Sequence, residues 1–379
     1  MVAWCTTGGA LVAVVLAGVA HPQAHATGDD REKRSADVLQ ELVPSPDGPG
    51  CAAAVGKRGS VVWEAGRGKA DLAAGRAITS KTVFDMASNS KQFTADAVLL
   101  LAGRHQLALD DPLSDFLEQP PAWTRDVTLG DLMRHTSGIA DYQDLLEAKG
   151  IELTDPAGQK EAIAAILASQ PEDPPGRRFS YSNSNYLLLA HVVERVTGKP
   201  FPAFLQQEFF TPLHLRMTLS PAVDVPGKAK SYDEKDGSFT PNSSPWKQYG
   251  DGSVQATPGE FVRWADNYRT GRIGGTELLT GVTEGAVSVG DVLRPRETNR
   301  ELIHASDHVQ VRHLASGCFR TSQGCCGSPG QQTLSMGPGR VPQVLTWGAI
   351  AAAGFGSPGL RWQREPIGPT AHPGYVRDR

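Results

Sequence analysis

Ser88 and Lys91 stand three residues apart in Ala87-Ser88-Asn89-Ser90-Lys91-Gln92-Phe93-Thr94, directly after the strand-like run Thr82-Val83-Phe84-Asp85-Met86. In a helix that turns once per about 3.6 residues, positions three apart share a face, so a helix opening here sets an amine beside a hydroxyl. A serine hydroxyl is a poor nucleophile until a neighbouring base takes its proton, and a desolvated lysine is such a base. The free N–H groups of a first helical turn also favour negative charge developing beside them. Serines equally cap helices and lysines equally sit on exposed faces, so this short pattern needs support from the rest of the chain.

Chemistry of this kind requires a rigid carrier. The helix beginning near Ser88 carries Phe93, Ala97, Val98, Leu100 and Leu101, apolar nearly all round, which predicts a helix running through a core. Upstream, residues 51–56 (CAAAVG) and 60–65 (SVVWEA), parted by Lys57-Arg58-Gly59, read as a β-hairpin, with Gly66 to Asp71 a loop. From about 106 to 280 the pattern turns helical and loop-rich. Thr128 is the N-cap of a short helix that Gly138 closes. Arg178-Phe179-Ser180-Tyr181-Ser182-Asn183 leads into a helix bearing Tyr186, Leu189, Ala190, Val193 and Val196, stopped by Gly198 and Pro200. Thr257-Pro258-Gly259-Glu260 is a capping box with proline at the first helical position; its helix runs through Phe261, Trp264 and Tyr268 to Gly271. The proline- and glycine-rich loops at 221–259 read as ordered connections.

Composition narrows the partners. A chain of 379 residues, 40% hydrophobic and 21% charged, is globular, and its net charge of −4 leaves no electrostatic footprint for nucleic acid or an anionic membrane. A small or peptide-like molecule fits better. Gly8 to Ala20 is an apolar run too short to span a bilayer, followed by the small-x-small site Ala24-His25-Ala26. It reads as an export signal over residues 1–26, though no Lys or Arg precedes the run. The mature chain is then expected to have no integral membrane span. The five cysteines specify no disulfide framework: Cys5 would leave with the signal, Cys51 stands alone, and Cys318, Cys325 and Cys326 cluster late. His304, His308 and His313 lack the Glu of a His-Glu-x-x-His helix, and neither Gly-x-Ser-x-Gly nor a phosphate-binding glycine pattern occurs. No metal or organic cofactor is implied.

Four stretches, taken together, resemble the serine β-lactamase and penicillin-binding superfamily: ASNSKQFTA around Ser88, VTLGDLMRHTSGI at 127–139, PGRRFSYSNSNYLLLAHVVERVTGKPF at 175–201 and GDGSVQATPGEFVRWA at 250–265. The nearest branch is that of class C β-lactamases, D-Ala-D-Ala carboxypeptidases and related esterases. The resemblance implies an α/β (α+β) β-lactamase-like fold, an antiparallel sheet flanked by helices with a mostly helical region at about 106–285. It also implies that Ser88 is acylated and that Lys91 eases its deprotonation. Tyr181 would serve as general base and then acid, which near neutral pH requires positive charge beside it, and Lys91 is the source. Asn183 would hydrogen-bond the substrate amide and Lys91. Read bare, Tyr181 is also an ordinary aromatic before a helix and Asn183 a helix cap. His135 is taken as structural.

The pattern breaks towards the C-terminus. The family carries a third element, His-x-Gly or Lys-Thr-Gly, on a strand that supplies a second oxyanion donor, followed by two strands and a helix. Here the resemblance fades near residue 290, and the best substitute is His372-Pro373-Gly374, making His372 a candidate substrate-binding residue. The expected organisation is a leader at 1–26, a hydrolase domain at 35–290, and an aberrant tail at 291–379, out of frame or rearranged, with the closing strands missing. The expected protein is an exported, monomeric serine hydrolase acting on amide, β-lactam or ester carbonyls of a small molecule or peptidoglycan peptide. A catalytically impaired penicillin- or peptidoglycan-binding relic is the alternative.

Overall fold

A computed structural model of the protein describes residues 2–5, 28–152, 154–221, 225–243, 245–275 and 278. Most of the expected leader and all of the expected tail, including His304, His308, His313, Cys318, Cys325, Cys326 and His372, lie outside the described residues.

Strand β1 (Val2–Cys5) falls within the expected leader, and α1 (Gly28–Leu42) precedes the predicted hairpin, β2 (Cys51–Lys57) and β3 (Ser60–Arg67). The hairpin closes at Lys57 opposite Ser60 through Arg58 and Gly59, with φ of +50° and +74°. Two successive positive φ angles make the mirror-image turn whose twist matches that of paired strands. The three strands form an antiparallel sheet in the order β1-β2-β3. Side chains alternate across β2: Cys51 and Ala53 pack with Leu39 and Val43 at the end of α1, while Ala52 joins the main core on the other face. Cys51, expected to stand alone, is disulfide-bonded, and its register partner in the ladder is Cys5.

The loop expected at Gly66–Asp71 is instead the end of β3 and then β4 (Lys69–Asp71), which pairs with β5 (Arg76–Ala77). The strand-like run before Ser88 shrinks to β6 (Phe84–Asp85). A single 3₁₀ turn, Ala87–Ser90, leads into α2 (Lys91–Gly103). Downstream lie α3 (Leu129–Met133), α4 (Tyr142–Glu147), α5 (Gln159–Leu167), α6 (Asn183–Thr197) and α7 (Phe201–Leu205). Thr128 caps α3 in a full capping box, but the helix ends at Met133; Gly138 (φ +74°) turns the chain later, where a Cβ would lie 2.0 Å from the carbonyl oxygen of Asp173. Gly198, at φ +67°, ends α6 as expected.

Strands β7 (Thr218–Leu219), β8 (Ser231–Lys235), β9 (Ser238–Asn242) and β10 (Val254–Ala256) follow. The β8–β9 hairpin lies in the stretch read as connections: it is mostly exposed and polar and contains Pro241, so no apolar alternation marks it. Strand β10 pairs with β6 and β7. The chain continues into α8 (Pro258–Ala265), opened by the expected Thr257–Glu260 capping box, and after a break at Asp266 into α9 (Asn267–Thr270). The fold is thus an α/β one of helices and small antiparallel sheets.

As the apolar run predicts, α2 crosses the core. Phe93 packs at a tilt on Trp264, 4.4 Å between ring centroids, and meets Phe210 edge-on at 5.5 Å. Helix α6 packs beside it, burying Leu187, Leu188, Leu189 and Ala190. Gly250 fills the tight space between them: its carbonyl accepts from Thr94 Oγ1 at 2.6 Å, its φ is +100°, and a Cβ there would sit 2.6 Å from both Ala190 Cβ and the Tyr186 carbonyl oxygen. Gly250→Ala is therefore expected to destabilise the protein by about 2 kcal/mol, combining overpacking with backbone strain, as measured by chemical denaturation.

Candidate active site

The nucleophile candidate stands at a strained, tightly pinned bend. Ala87, directly before Ser88, has φ +43°, a left-handed conformation unfavourable for a residue with a Cβ. Asp85 Oδ1 accepts the Ala87 N–H at 2.8 Å, and Asp85 Oδ2 accepts from Gln255 Nε2 at 2.8 Å. The Met86 N–H donates to the Val254 carbonyl at 2.7 Å, and Ser90 Oγ accepts the Val254 N–H at 3.0 Å. Three of these four bonds tie the bend to β10. Ser88 and Lys91 share a face because a 3₁₀ turn nearly eclipses positions three apart, a tighter alignment than the α-helical one expected. The Ser88 N–H has no acceptor among the described residues and is free to donate to an oxyanion.

The predicted residues Ser88, Lys91, Tyr181 and Asn183 converge. Lys91 is buried at 7% exposure, and its Nζ donates to Asn183 Oδ1 (2.7 Å), to the Asp251 carbonyl (2.9 Å) and to Ser88 Oγ (3.3 Å). An ammonium has three hydrogens and finds three neutral acceptors, so the geometry suits the charged form. Tyr181 Oη lies 2.8 Å from Ser88 Oγ and 3.3 Å from Asn183 Oδ1. Lys91 Nζ also sits 5.0 Å from the Tyr181 ring centroid and 5.6 Å from that of Tyr186.

His135 has the supporting role expected of it. Its ring stacks on Tyr181 at 4.6 Å, and its Nδ1 faces the Ser182 N–H (3.2 Å) and Asn185 Nδ2 (3.1 Å). Both neighbours are donors, so Nδ1 is the bare, accepting nitrogen. Burial, together with the Lys91 charge, pulls this histidine down to about 3. Sequence reading missed three residues around this centre. Asp141 Oδ2 accepts from the Asn183 N–H (2.8 Å) and Asn183 Nδ2 (2.9 Å), and Tyr142 Oη donates to Asp251 Oδ2 (3.2 Å). Burial raises the carboxyls of Asp141 and Asp251, while the Lys91 charge pulls Asp251 back. Their signal was weak: Asp141-Tyr142 follows the recognised HTSGI stretch, and Asp251 lies inside another, but neither segment suggests a contact with Lys91.

A family model described as Beta-lactamase matches residues 36–303, more than half of the chain. The chain belongs to the Beta-lactamase family. Among curated proteins it is 32% identical to the D-aminopeptidase of Cereibacter sphaeroides over 205 residues, covering 52% of this chain and 39% of that protein. It is 27% identical to Protein flp of Staphylococcus aureus over 197 residues, covering 50% of this chain and 38% of flp. The chain therefore spans about two fifths of the length of these curated relatives. Among solved structures, the penicillin binding protein from Bacillus halodurans superposes with a TM-score of 0.56 at 27% identity, over 63% of this chain and 74% of that one. The resemblance to β-lactamase and penicillin-binding proteins is borne out, in a family that includes serine hydrolases. No helix among the described residues is long and apolar enough to cross a membrane.

The buried histidine makes a Beta-lactamase-family site of this build sensitive to acid. Unfolded, His135 takes up a proton near its ordinary 6.5; folded, only near about 3. Between those values the unfolded chain holds the extra proton, so stability falls as pH falls, by at most about 1.4 kcal/mol per pH unit. His135→Phe keeps a ring on Tyr181 but removes the titrating group. Unfolding free energies of wild type and variant are expected to differ most at neutral pH, with wild type the more stable, and to converge on acidification through this window.

Proposed function

We propose that the protein is a serine hydrolase working through an acyl-enzyme on Ser88, with amide, β-lactam or ester carbonyls as substrates. Amides of D-residue peptides are the favoured class. The observation carrying this reading is the setting of Ser88 Oγ: Lys91 Nζ donates to it at 3.3 Å, and Tyr181 Oη stands 2.8 Å away, within hydrogen-bond reach for a proton to pass between the two oxygens. The Lys91 ammonium stabilises negative charge on the phenol oxygen. Tyr181, as phenolate, takes the Ser88 proton while Oγ bonds to the carbonyl carbon, and the carbonyl electron pair moves to oxygen, facing the Ser88 N–H. Collapse breaks the bond to the leaving amine or alkoxide, which receives that proton from Tyr181. Water repeats the sequence, its proton passing through Tyr181 to Ser88, and the acid is released.

The D-residue preference rests on the relative named a D-aminopeptidase. Export, supported by the apolar run and small-residue site at the N-terminus, would bring such a protein to cell-wall peptides.

Intact-mass spectrometry after treatment with a fluorophosphonate, and separately with a penicillin, tests the reading. A single adduct is expected on wild type and none on Ser88→Ala. Tyr181→Phe is expected to slow acylation on the order of a thousandfold without unfolding the protein. Folded wild type that takes up neither probe would identify a catalytically silent binding protein instead. If the penicillin adduct persists while D-amino-acid amides turn over, the amide assignment stands; rapid loss of that adduct with no amide turnover would indicate a β-lactamase.

A further inference from the structure

We propose that Asp141 is a positioning residue that locks the Asn183 side chain with its oxygen towards Lys91, and that its neighbour Tyr142 steadies the second Lys91 acceptor. The inference rests on Ser88, Lys91 and Tyr181 forming the acyl-transfer centre. An asparagine amide is nearly symmetric in shape, so its orientation is set by its neighbours. On one side, Asn183 Oδ1 takes the Lys91 ammonium at 2.7 Å; on the other, Asn183 Nδ2 donates to Asp141 Oδ2 at 2.9 Å. Turning the amide over would set NH₂ against NH₃⁺ and a carbonyl oxygen against a carboxylate. Both faces oppose it, so only one orientation survives.

The same Asp141 oxygen accepts the Asn183 backbone N–H at 2.8 Å, which ties the first residue of α6 to the start of α4. Its other oxygen caps α4 by accepting the Gln143 N–H at 3.0 Å. Three N–H donors converge on this carboxyl, a setting that calls for the ionised form. Next along the chain, Tyr142 Oη donates to Asp251 Oδ2 at 3.2 Å, and the carbonyl of that same Asp251 receives Lys91 at 2.9 Å. One dipeptide at the mouth of α4 therefore braces two of the three Lys91 acceptors without touching Lys91, Ser88 or Tyr181 itself. Slack at Asn183 or Asp251 would pass directly into the position of the ammonium, and with it the charge that Tyr181 depends on.

The test is a double-mutant cycle on the full-length protein, reading the rate of fluorophosphonate acylation by intact mass. Asp141→Asn retains a side-chain oxygen able to cap Gln143, but one oxygen cannot serve both Gln143 and Asn183. It is expected to slow acylation 10- to 100-fold while leaving most of the thermal stability. Asn183→Ala alone is expected to slow it at least as much, and adding Asp141→Asn to that background to slow it less than threefold further. Tyr142→Phe, which keeps the ring against Trp246, is expected to slow acylation about fivefold with no change in melting temperature, and it carries the proposal if Asp141→Asn does not fold. Wild-type rates in Asp141→Asn, or fully multiplicative losses in the double variant, would overturn the role of Asp141; if Asp141→Asn does not fold, a wild-type rate in Tyr142→Phe would overturn the proposal. Because wild type and Ser88→Ala are measured alongside, an unlabelled wild type signals failure of the acyl-enzyme reading, whereas a labelled wild type with indifferent Asp141 and Tyr142 variants signals failure of the positioning role alone.

Discussion

A buried ammonium is the constraint on which this structure turns. Removing a lysine charge from water costs several kcal/mol unless every N–H finds an acceptor. Lys91 meets that demand with Ser88 Oγ, Asn183 Oδ1 and the Asp251 carbonyl, which come from the 3₁₀ turn, the start of α6 and the loop before β10. Ser88, three residues back on the same turn, is placed by local structure, but Asn183 and Asp251, 92 and 160 residues away, are not. They meet because α2 passes through the core with α6 packed along it and β10 clamped to β6, so the tertiary fold and the ammonium's hydrogen bonds are one requirement. Among the described residues no carboxylate pairs with Lys91 within ion-pair distance. A direct partner would neutralise the charge that Lys91 brings to the site. The carboxyl groups of Asp141 and Asp251 instead stand one bond further out, Asp141 on Asn183 and Asp251 on Tyr142, without pairing with the charge.

The bend at Ala87 applies the same logic to Ser88, the nucleophile candidate. A residue with a Cβ at φ +43° stores about a kilocalorie of strain that the chain would relieve if it were free to move. The Asp85 carboxylate on the Ala87 N–H and the Val254 contacts on either side hold it in place. The result is a Ser88 N–H kept out of the helical ladder. The strain is held in place by the β6–β10 pairing beside it.

Much of this was legible in the sequence, and what was not has a physical explanation. Apolar periodicity located α2 and α6 because burial all round a helix leaves a continuous signal, and the Thr257–Glu260 box located the start of α8 because its partners are three residues apart. Ser88, Lys91, Tyr181 and Asn183 were recognisable as types at family spacings. The β8–β9 hairpin was invisible because exposed strands need no apolar alternation. Asp141 and Tyr142 were missed for a different reason: their role exists only across gaps of 42 and 109 residues, to Asn183 and Asp251. An aspartate at a helix start already has a sufficient local explanation as an N-cap, and nothing in sequence separates the oxygen that caps from the oxygen that orients.

The way His135 and Lys91 flank Tyr181 completes the electrostatic argument. One is a ring stacked at 4.6 Å, the other an ammonium 5.0 Å from the same ring. Had the imidazole been cationic, two positive charges would compete beside one phenol, and each would raise the cost of burying the other. Desolvation and the Lys91 charge keep His135 neutral well into acid, so the stack contributes orientation alone. Charge and geometry are thereby assigned to different residues: Lys91, deep in the fold, supplies the field, while Tyr181, 43% exposed at the rim, is steered by a neutral ring and left open to whatever enters the cleft. That separation leaves the Tyr181 oxygen near solvent while the ammonium charge remains in the low-dielectric interior, where its field is strongest.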